Sequence, residues 1–164
     1  MDERRLRQLL DDVASGQLGV QTALDQLRAM PFEDLGFAKI DHHRALRTGF
    51  PEVIFCPGKT PEQVSRIAAA MREQDQVVLA THASPQIYQA VQAVASEAVY
   101  HEQARIVQVG QPKAVQSDGG SVLVVSAGTS DIPVAEEAAL TAERMGARTE
   151  RIYDVGVAGL HRVV

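Results

Sequence analysis

The chain has 164 residues and a formal net charge of −5, and 45% of its residues are apolar against 23% that are charged. This balance is typical of a soluble globular protein of one or two domains and excludes intrinsic disorder. The negative charge argues against a nucleic-acid partner, because such surfaces need clustered Lys and Arg. No apolar run approaches the roughly 20 residues of a membrane span. With no secretory signal after Met1 and one cysteine, Cys56, we expect a cytoplasmic protein without membrane partner or intrachain disulfide.

Residues 1–43 are predicted to form a helical hairpin and a connector. Apolar residues recur at helical spacing in two short runs on either side of Gly16, which ends the first helix. The first run has Leu6, Leu9, Leu10 and Val13, and the second, which ends at Pro31, has Ala23, Leu24 and Leu27.

Residues 44–110 are predicted to form a small α/β domain. Short apolar strands are expected at 53–55, 77–80 and 104–109, with a helix between each pair. Thr60-Pro61 and Ser84-Pro85 open these helices, because a hydroxyl caps the helix and Pro at the first turn loses no hydrogen bond. The inward residues are predicted to be Val64, Ile67, Ala68, Met71, Ile87, Val91 and Val94.

Residues 111–120 are rich in turn-forming residues and are predicted to be a linker to a third unit, residues 121–164. That unit opens with an apolar strand at 122–125, expected to be covered on both faces. A helix with Pro133 in its first turn and its end at Gly146 should lead to a second strand beginning at Arg151. Two strands and one helix bury little surface, so we expect either that the sequence is part of a longer protein or that a partner chain covers the sheet.

The loop after the strand at 122–125 is the most informative feature of the sequence. It reads Ser126-Ala127-Gly128-Thr129-Ser130-Asp131 and leads straight into a helix. Backbone N–H groups at a helix N-terminus attract anions, and ligands of parallel sheets bind beyond the carboxyl ends of the strands. We therefore consider Ser126, Gly128, Thr129 and Ser130 as substrate-binding residues. The alternative is that Ser130 or Asp131 simply caps the helix.

His161 follows the second strand of the third unit and is expected at the same sheet edge as Asp131. A carboxylate and an imidazole placed together can move a proton, so Asp131 and His161 are the candidate catalytic residues. The alternative for His161 is a surface histidine at a helix start. Asp154 is a candidate substrate-binding residue, or only a strand-end carboxylate.

The stretch 41–52 contains two Arg, two His and two carboxylates. Arg44 and Arg47, with Lys59 farther along, are candidate anion-binding residues, and the alternative is a salt-bridged connector. Lys59 does not belong to a phosphate-binding P-loop, because the upstream Gly of that motif is replaced by Val53. Adjacent histidines point in different directions, so His42 and His43 are not expected to form a metal pair. Cys56 is interpreted as structural.

Two runs resemble the LarB family of nickel-pincer-nucleotide biosynthesis carboxylases. They are DHHRALRTGFPEVIFCPGKTPEQ, at 41–63, and VSAGTSDIPVAEEAALTAERMGARTERIYDVGVAGLHR, at 125–162, and the segment 30–36 adds to the first. The second run also resembles, more distantly, the phosphoribosylaminoimidazole carboxylase subunit PurE, through Ser130-Asp131 and Leu160-His161-Arg162. The resemblance implies an α/β fold: a helical hairpin and a small α/β domain, followed by the start of a PurE-like parallel-sheet domain.

The resemblance also implies an activity. LarB enzymes add CO2, the co-substrate, to the pyridinium ring of nicotinic acid adenine dinucleotide and hydrolyse its phosphoanhydride, which releases AMP. The ring must first accept a nucleophile, in this family a cysteine of the carboxyl-terminal part, which we expect to lie beyond Val164. No tightly bound cofactor is implied, and Mg²⁺ would assist at the diphosphate. The 164-residue chain is therefore expected to be catalytically incomplete.

Two alternatives to this activity stay open. One is a PurE-like mutase or carboxylase that acts on aminoimidazole ribonucleotides. The other is a non-catalytic fragment that serves in binding or self-association. The resemblance implies a homo-oligomer, an octamer at the family's full length and a dimer for this shorter chain.

Overall fold

A computed structural model of the protein describes residues 3–27, 32–73, 77–111 and 120–156. Within these ranges the helices are α1 (Glu3–Ala14), α2 (Val20–Leu27), α3 (Arg44–Thr48), α4 (Pro61–Arg72), α5 (Pro85–Val94) and α6 (Ile132–Arg144), with a 3₁₀ turn at Thr129–Asp131. The strands are β1 (Glu33–Asp34), β2 (Lys39–Ile40), β3 (Ile54–Phe55), β4 (Val78–Thr81), β5 (Val99–His101), β6 (Ile106–Val109), β7 (Ser121–Val125) and β8 (Arg148–Ile152). This is the predicted α/β fold. No helix in the described ranges combines the length and apolarity that crossing a bilayer requires.

The predicted helical hairpin is confirmed, with α1 and α2 packed against each other. Gly16 follows α1 with φ of 74°, a left-handed conformation that glycine adopts without strain. Leu9 and Ala23 are buried, but Leu10 and Leu24, which belong to the same helically spaced runs, stay exposed. Two helices this short share only one line of contact, which leaves the flanking leucines in solvent.

The central element is a four-stranded mixed sheet in the order β3-β4-β6-β5. β3 runs parallel to β4, whereas β6 is antiparallel to both β4 and β5. The sequence did not indicate β5, and the strand expected at 104–109 begins only at Ile106. Arg105, with φ of 50°, ends the turn that joins β5 to β6.

Helices α4 and α5 cover one face of this sheet and form the main core. Thr60 caps α4 as predicted: its Oγ1 accepts from the N–H of Gln63, and the Gln63 side chain accepts from the N–H of Thr60. The core residues predicted on the two helices are buried except Val94, which is 46% exposed. The β1–β2 hairpin adds Ile40 to the same core.

The third unit is a parallel β–α–β arrangement in which α6 contacts both β7 and β8. β8 begins at Arg148, three residues before the predicted start. The expectation that β7 is covered on both faces is wrong for this chain, because Val122, Leu123 and Val125 are 42%, 52% and 52% exposed. Helix α6 lies on one face only, and no described element covers the other.

Helix α6 also packs on the second face of the four-stranded sheet. Leu140 joins a cluster with Leu79, Ala104 and Ile106, and Arg144 donates to Gln108. The helix therefore lies between the two sheets and belongs to the packing of both. The predicted linker, residues 111–120, falls mostly outside the described residues, and the domain boundaries at 43, 110 and 120 stay predictions.

Candidate active site

The loop after β7 and the residues after β8 lie side by side at one sheet edge. The N–H of Ser126 donates to the carbonyl of Ile152 at 3.0 Å, and the N–H of Val155 donates to the carbonyl of Ser126 at 3.2 Å. Gly156 donates in turn to the carbonyl of Ala127 at 2.8 Å. Because this ladder continues the parallel pairing past both strands, it brings Asp154 and the loop to the same edge. Asp154 is exposed and has a φ of 54°, a conformation that Asp tolerates better than most residues.

Asp131 holds the loop in a closed turn. Its Oδ2 accepts from the N–H of Gly128 at 3.1 Å, and its own N–H donates to the carbonyl of Gly128 at 3.0 Å. Asp131 occupies the N-cap position of α6, but its side chain makes no capping bond to that helix. The alternative interpretation, in which Asp131 is only a helix cap, therefore holds for the 3₁₀ turn at Thr129–Asp131 and not for α6. The N–H of Ile132, the first residue of α6, donates to the carbonyl of Thr129, and Asp131 is exposed beside it.

Ser126 has a buried hydroxyl at the base of this loop. The residue is 7% exposed, and its Oγ has no hydrogen-bond partner among the described residues. A buried hydroxyl without a partner costs free energy, so its presence at the base of the predicted substrate loop is informative. Thr129 and Ser130, the other hydroxyl candidates, are exposed. The loop and the residues after β8 thus bring hydroxyls and two exposed carboxylates to one sheet edge, and substrate binding by them stays a prediction.

A polar network fixes β8 against α6 behind this edge. Arg151 Nη1 donates to Glu143 at 2.6 Å, and the Tyr153 hydroxyl donates to Glu136 at 2.5 Å. The bond from Arg151 holds the pKa of the Glu143 carboxyl below its ordinary value. Burial and the Glu136 carboxylate raise the pKa of Tyr153. This network positions the strand end that carries Asp154.

The basic candidates lie on other elements. Arg47 pairs with Asp41 at 2.5 Å, and this bond lowers the pKa of the Asp41 carboxyl. The pair matches the alternative of a salt-bridged connector, with Arg44 exposed one turn before it. Lys59, just after β3, donates from Nζ to the carbonyl of Phe55 at 2.6 Å. Anion binding by Arg44, Arg47 and Lys59 stays a prediction.

Two other polar residues of this region are structural. His42 is 1% exposed and its Nε2 lies 2.9 Å from Oε2 of Glu33, so the first of the two adjacent histidines ties the connector to β1. Cys56 is 1% exposed, and burial raises the pKa of its thiol to about 11. In the described ranges, no three His, Cys, Asp or Glu side chains group to hold a metal ion, and assistance by Mg²⁺ at the diphosphate stays a prediction.

An aromatic pair that the sequence did not indicate lies at the carboxyl end of β3 and β4. The Phe55 and His82 rings meet edge to face, with centroids 5.3 Å apart, and His82 Nδ1 lies 3.2 Å from Oε2 of Glu137 on α6. His82 has a φ of 54°, a left-handed conformation that is uncommon outside glycine but that His adopts more often than most residues, and the sequence did not indicate it. The other candidate, His161, lies outside the described residues, so its pairing with Asp131 stays a prediction.

Comparison with known proteins shows a similarity to one family. Residues 32–111 match the LarB/PurE-like N-terminal domain. An uncharacterized protein of Methanocaldococcus jannaschii is 30% identical over 167 aligned positions, which cover 98% of this chain and 65% of that relative. The chain thus spans a little less than two-thirds of the relative's length. The LarB/PurE-like family is of the carboxylase type. The similarity of residues 32–111 to this N-terminal domain supports an assignment to the LarB/PurE-like family.

Proposed function

We propose that the protein takes part in the carboxylation of the pyridinium ring of nicotinic acid adenine dinucleotide, with hydrolysis of the phosphoanhydride and release of AMP. The product would be the dicarboxylated mononucleotide from which the nickel-pincer cofactor of lactate racemase is made. The observation that carries the proposal is the similarity of residues 32–111 to the LarB/PurE-like N-terminal domain. The loop at Ser126–Asp131 supports it, because its hydroxyls lie beyond the carboxyl end of β7, where ligands of parallel sheets bind, and we propose that they hold the substrate's diphosphate.

The chemistry defines what the site must supply. A pyridinium ring is electron-poor and does not attack CO2 by itself. A thiolate that adds to the ring converts it to an enamine-like dihydropyridine, whose carbon forms the new bond to CO2. A base then removes the proton from the carboxylated carbon, and the thiolate leaves as the ring regains its aromaticity.

We assign Asp131 as the base that removes this proton. Its carboxylate is exposed at the loop, and its bond to the N–H of Gly128 fixes its position while leaving one oxygen available. His161 would share the task if it lies at the same edge. Cys56 is not the thiolate in this proposal, because a buried thiol with a pKa of about 11 is almost wholly protonated at neutral pH.

The activity is proposed for a protein of the relative's full length, and the present chain would supply the loop and the amino-terminal domain. The test is a chromatographic assay for AMP released from nicotinic acid adenine dinucleotide in bicarbonate buffer. A version extended to the relative's length should release AMP and incorporate carbon from labelled bicarbonate, whereas the 164-residue chain should not. Turnover of a carboxylated aminoimidazole ribonucleotide instead would assign the protein to the PurE-like reaction.

A further inference from the structure

The amino-terminal domain has an exposed aromatic wall, formed by Phe55 and His82, on the side that faces α6. Phe55 is 54% exposed, and its ring meets the ring of His82, whose side chain is 38% exposed. Val53, two residues before Phe55, packs with Leu140 of α6 in one cluster. Because alternate residues of a strand share a face, Phe55 lies on the same sheet face as α6.

The direction of α6 relates this wall to the loop at Ser126–Asp131. From its C-terminal end, the helix contacts Gln108 through Arg144, then Leu79 and Ile106 through Leu140, and finally His82 through Glu137. Since Leu79 pairs with Gln108 and His82 follows β4, the helix runs antiparallel to β4, with its N-terminus at the carboxyl end of that strand.

The number of residues along α6 then gives the distance between the loop and the aromatic wall. Asp131 precedes Glu137 by six residues, which at about 1.5 Å per residue places the loop roughly 9 Å beyond the contact of Glu137 with His82. The loop after β7 and the aromatic wall after β3 and β4 are therefore at the same end of the helix. The distance between them is about the length of a nucleoside. Lys59 is on the same strand end as Phe55 and adds a cation there.

We propose that Phe55 and His82 form the subsite for the adenine ring of the dinucleotide, while the Ser126–Asp131 loop holds the diphosphate. This inference rests on the proposed function, which puts the reacting pyridinium ring at Asp131 and leaves the adenosine end to be bound elsewhere. An exposed phenyl face stacks on a base and gives affinity without reading its identity. Independently, the buried Oγ of Ser126, without a partner among the described residues, marks the loop as the polar end of the same ligand.

The arrangement gives the His82–Glu137 contact a role in positioning. Glu137 fixes the imidazole from α6, and the imidazole meets the Phe55 ring edge to face. The subsite is thus assembled from the amino-terminal domain and from the helix of the third unit. It exists only when α6 is docked on the four-stranded sheet.

The test is calorimetric titration of the 164-residue chain with AMP and, separately, with nicotinic acid mononucleotide. Phe55→Ala should weaken AMP binding roughly 5- to 150-fold, the range for loss of one base–aromatic stack, and change mononucleotide binding by less than about twofold. Phe37→Ala is the matched control, because Phe37 is 39% exposed but packs on Arg66 of α4, which covers the other sheet face. Thermal unfolding of each variant verifies that it is folded.

His82→Asn gives a second variant that keeps the backbone intact, because Asn tolerates the φ of 54°. It should weaken AMP binding in the same direction as Phe55→Ala. AMP affinity that is unchanged in both variants, or absence of AMP binding to the folded wild-type chain, would overturn the inference. Failure of the proposed function is distinguishable, since AMP binding would then depend on Phe55 while the extended protein released no AMP from the dinucleotide.

Discussion

Arg144 Nε on α6 donates to Oε1 of Gln108 on β6 at 2.6 Å and thereby joins the third unit to the four-stranded sheet. The partner is held in turn, because Gln108 Nε2 donates to the carbonyl of Gly110 at 2.9 Å. A hydrogen bond between a guanidinium and a fixed amide is directional, so it restrains how α6 packs on the sheet. Leu140, one turn earlier, adds the apolar part of the same contact.

Leu140→Ala should destabilise the chain by about 2 to 4 kcal/mol, because it opens a cavity among Leu79, Ala104 and Ile106. Urea unfolding followed by circular dichroism measures the effect. Val134→Ala on the same helix is the control: Val134 is 63% exposed, so its unfolding free energy should change by less than about 0.5 kcal/mol. Equal effects of the two substitutions would mean that α6 is not docked on this sheet.

Glu143→Gln should reduce the pH dependence of stability. The Glu143 pKa is lowered in the folded chain by Arg151, so its contribution is present above the unfolded value near 4.5 and is lost as pH falls through the folded pKa. The unfolding free energy of wild type should exceed that of the variant by about 1 kcal/mol at pH 7 and by less at about pH 3.5. Glu150→Gln, an exposed carboxylate on the same strand as Arg151, serves as control. A difference that grows toward low pH would refute the ion pair.

Cys56 should react slowly with a disulfide reagent at about pH 8 in native buffer. Its thiol is 1% exposed and has a pKa of about 11, so both access and thiolate fraction are small. Guanidinium chloride should release one reactive thiol per chain. A chain with Ser121→Cys, an exposed position, would react rapidly and so calibrate the assay. Rapid reaction of one thiol per wild-type chain in native buffer would contradict the interpretation of Cys56 as a buried structural residue.

Asp131→Asn in the extended protein should lower kcat far more than it weakens binding of nicotinic acid adenine dinucleotide. The amide oxygen can still accept from the N–H of Gly128 and keep the turn, but it cannot take a proton. Single-turnover kinetics and calorimetry separate the two quantities. Collapse of binding with unchanged turnover per bound complex would reassign Asp131 to substrate positioning.

Local patterns predicted much of the fold. The capping box at Thr60 and the apolar spacing of Val64, Ile67, Ala68 and Met71 indicated α4, and all four of these apolar residues are buried. The strand–loop–helix at 121–144 was likewise predictable, because the apolar run and Pro133 are local signals. Strand β5 was missed since it has only three residues and is defined by its pairing with β6.

The tertiary contacts could not be predicted in the same way. Leu140 is the one large apolar residue between Glu137 and Arg144, so nothing in its spacing indicates that this face of α6 packs on a second sheet. The contact of His82 with Glu137 joins residues far apart in the chain and depends on that packing. The apolar run of β7 suggested cover on both faces, yet burial depends on elements elsewhere in the fold. The loop at Ser126–Asp131 was predictable as a candidate site, whereas its aromatic counterpart was not.

The decisive measurement is the fate of ¹³C-bicarbonate supplied to the extended protein together with nicotinic acid adenine dinucleotide. We expect mass spectrometry to find the label in a pyridinium mononucleotide that carries two carboxyl groups, with AMP formed in equal amount. AMP formed without labelled product would make the protein a hydrolase only. In a parallel incubation with an aminoimidazole ribonucleotide as substrate, a labelled imidazole ribonucleotide would assign the protein to the PurE-like reaction. Either result would contradict the assignment of this chain to pyridinium carboxylation.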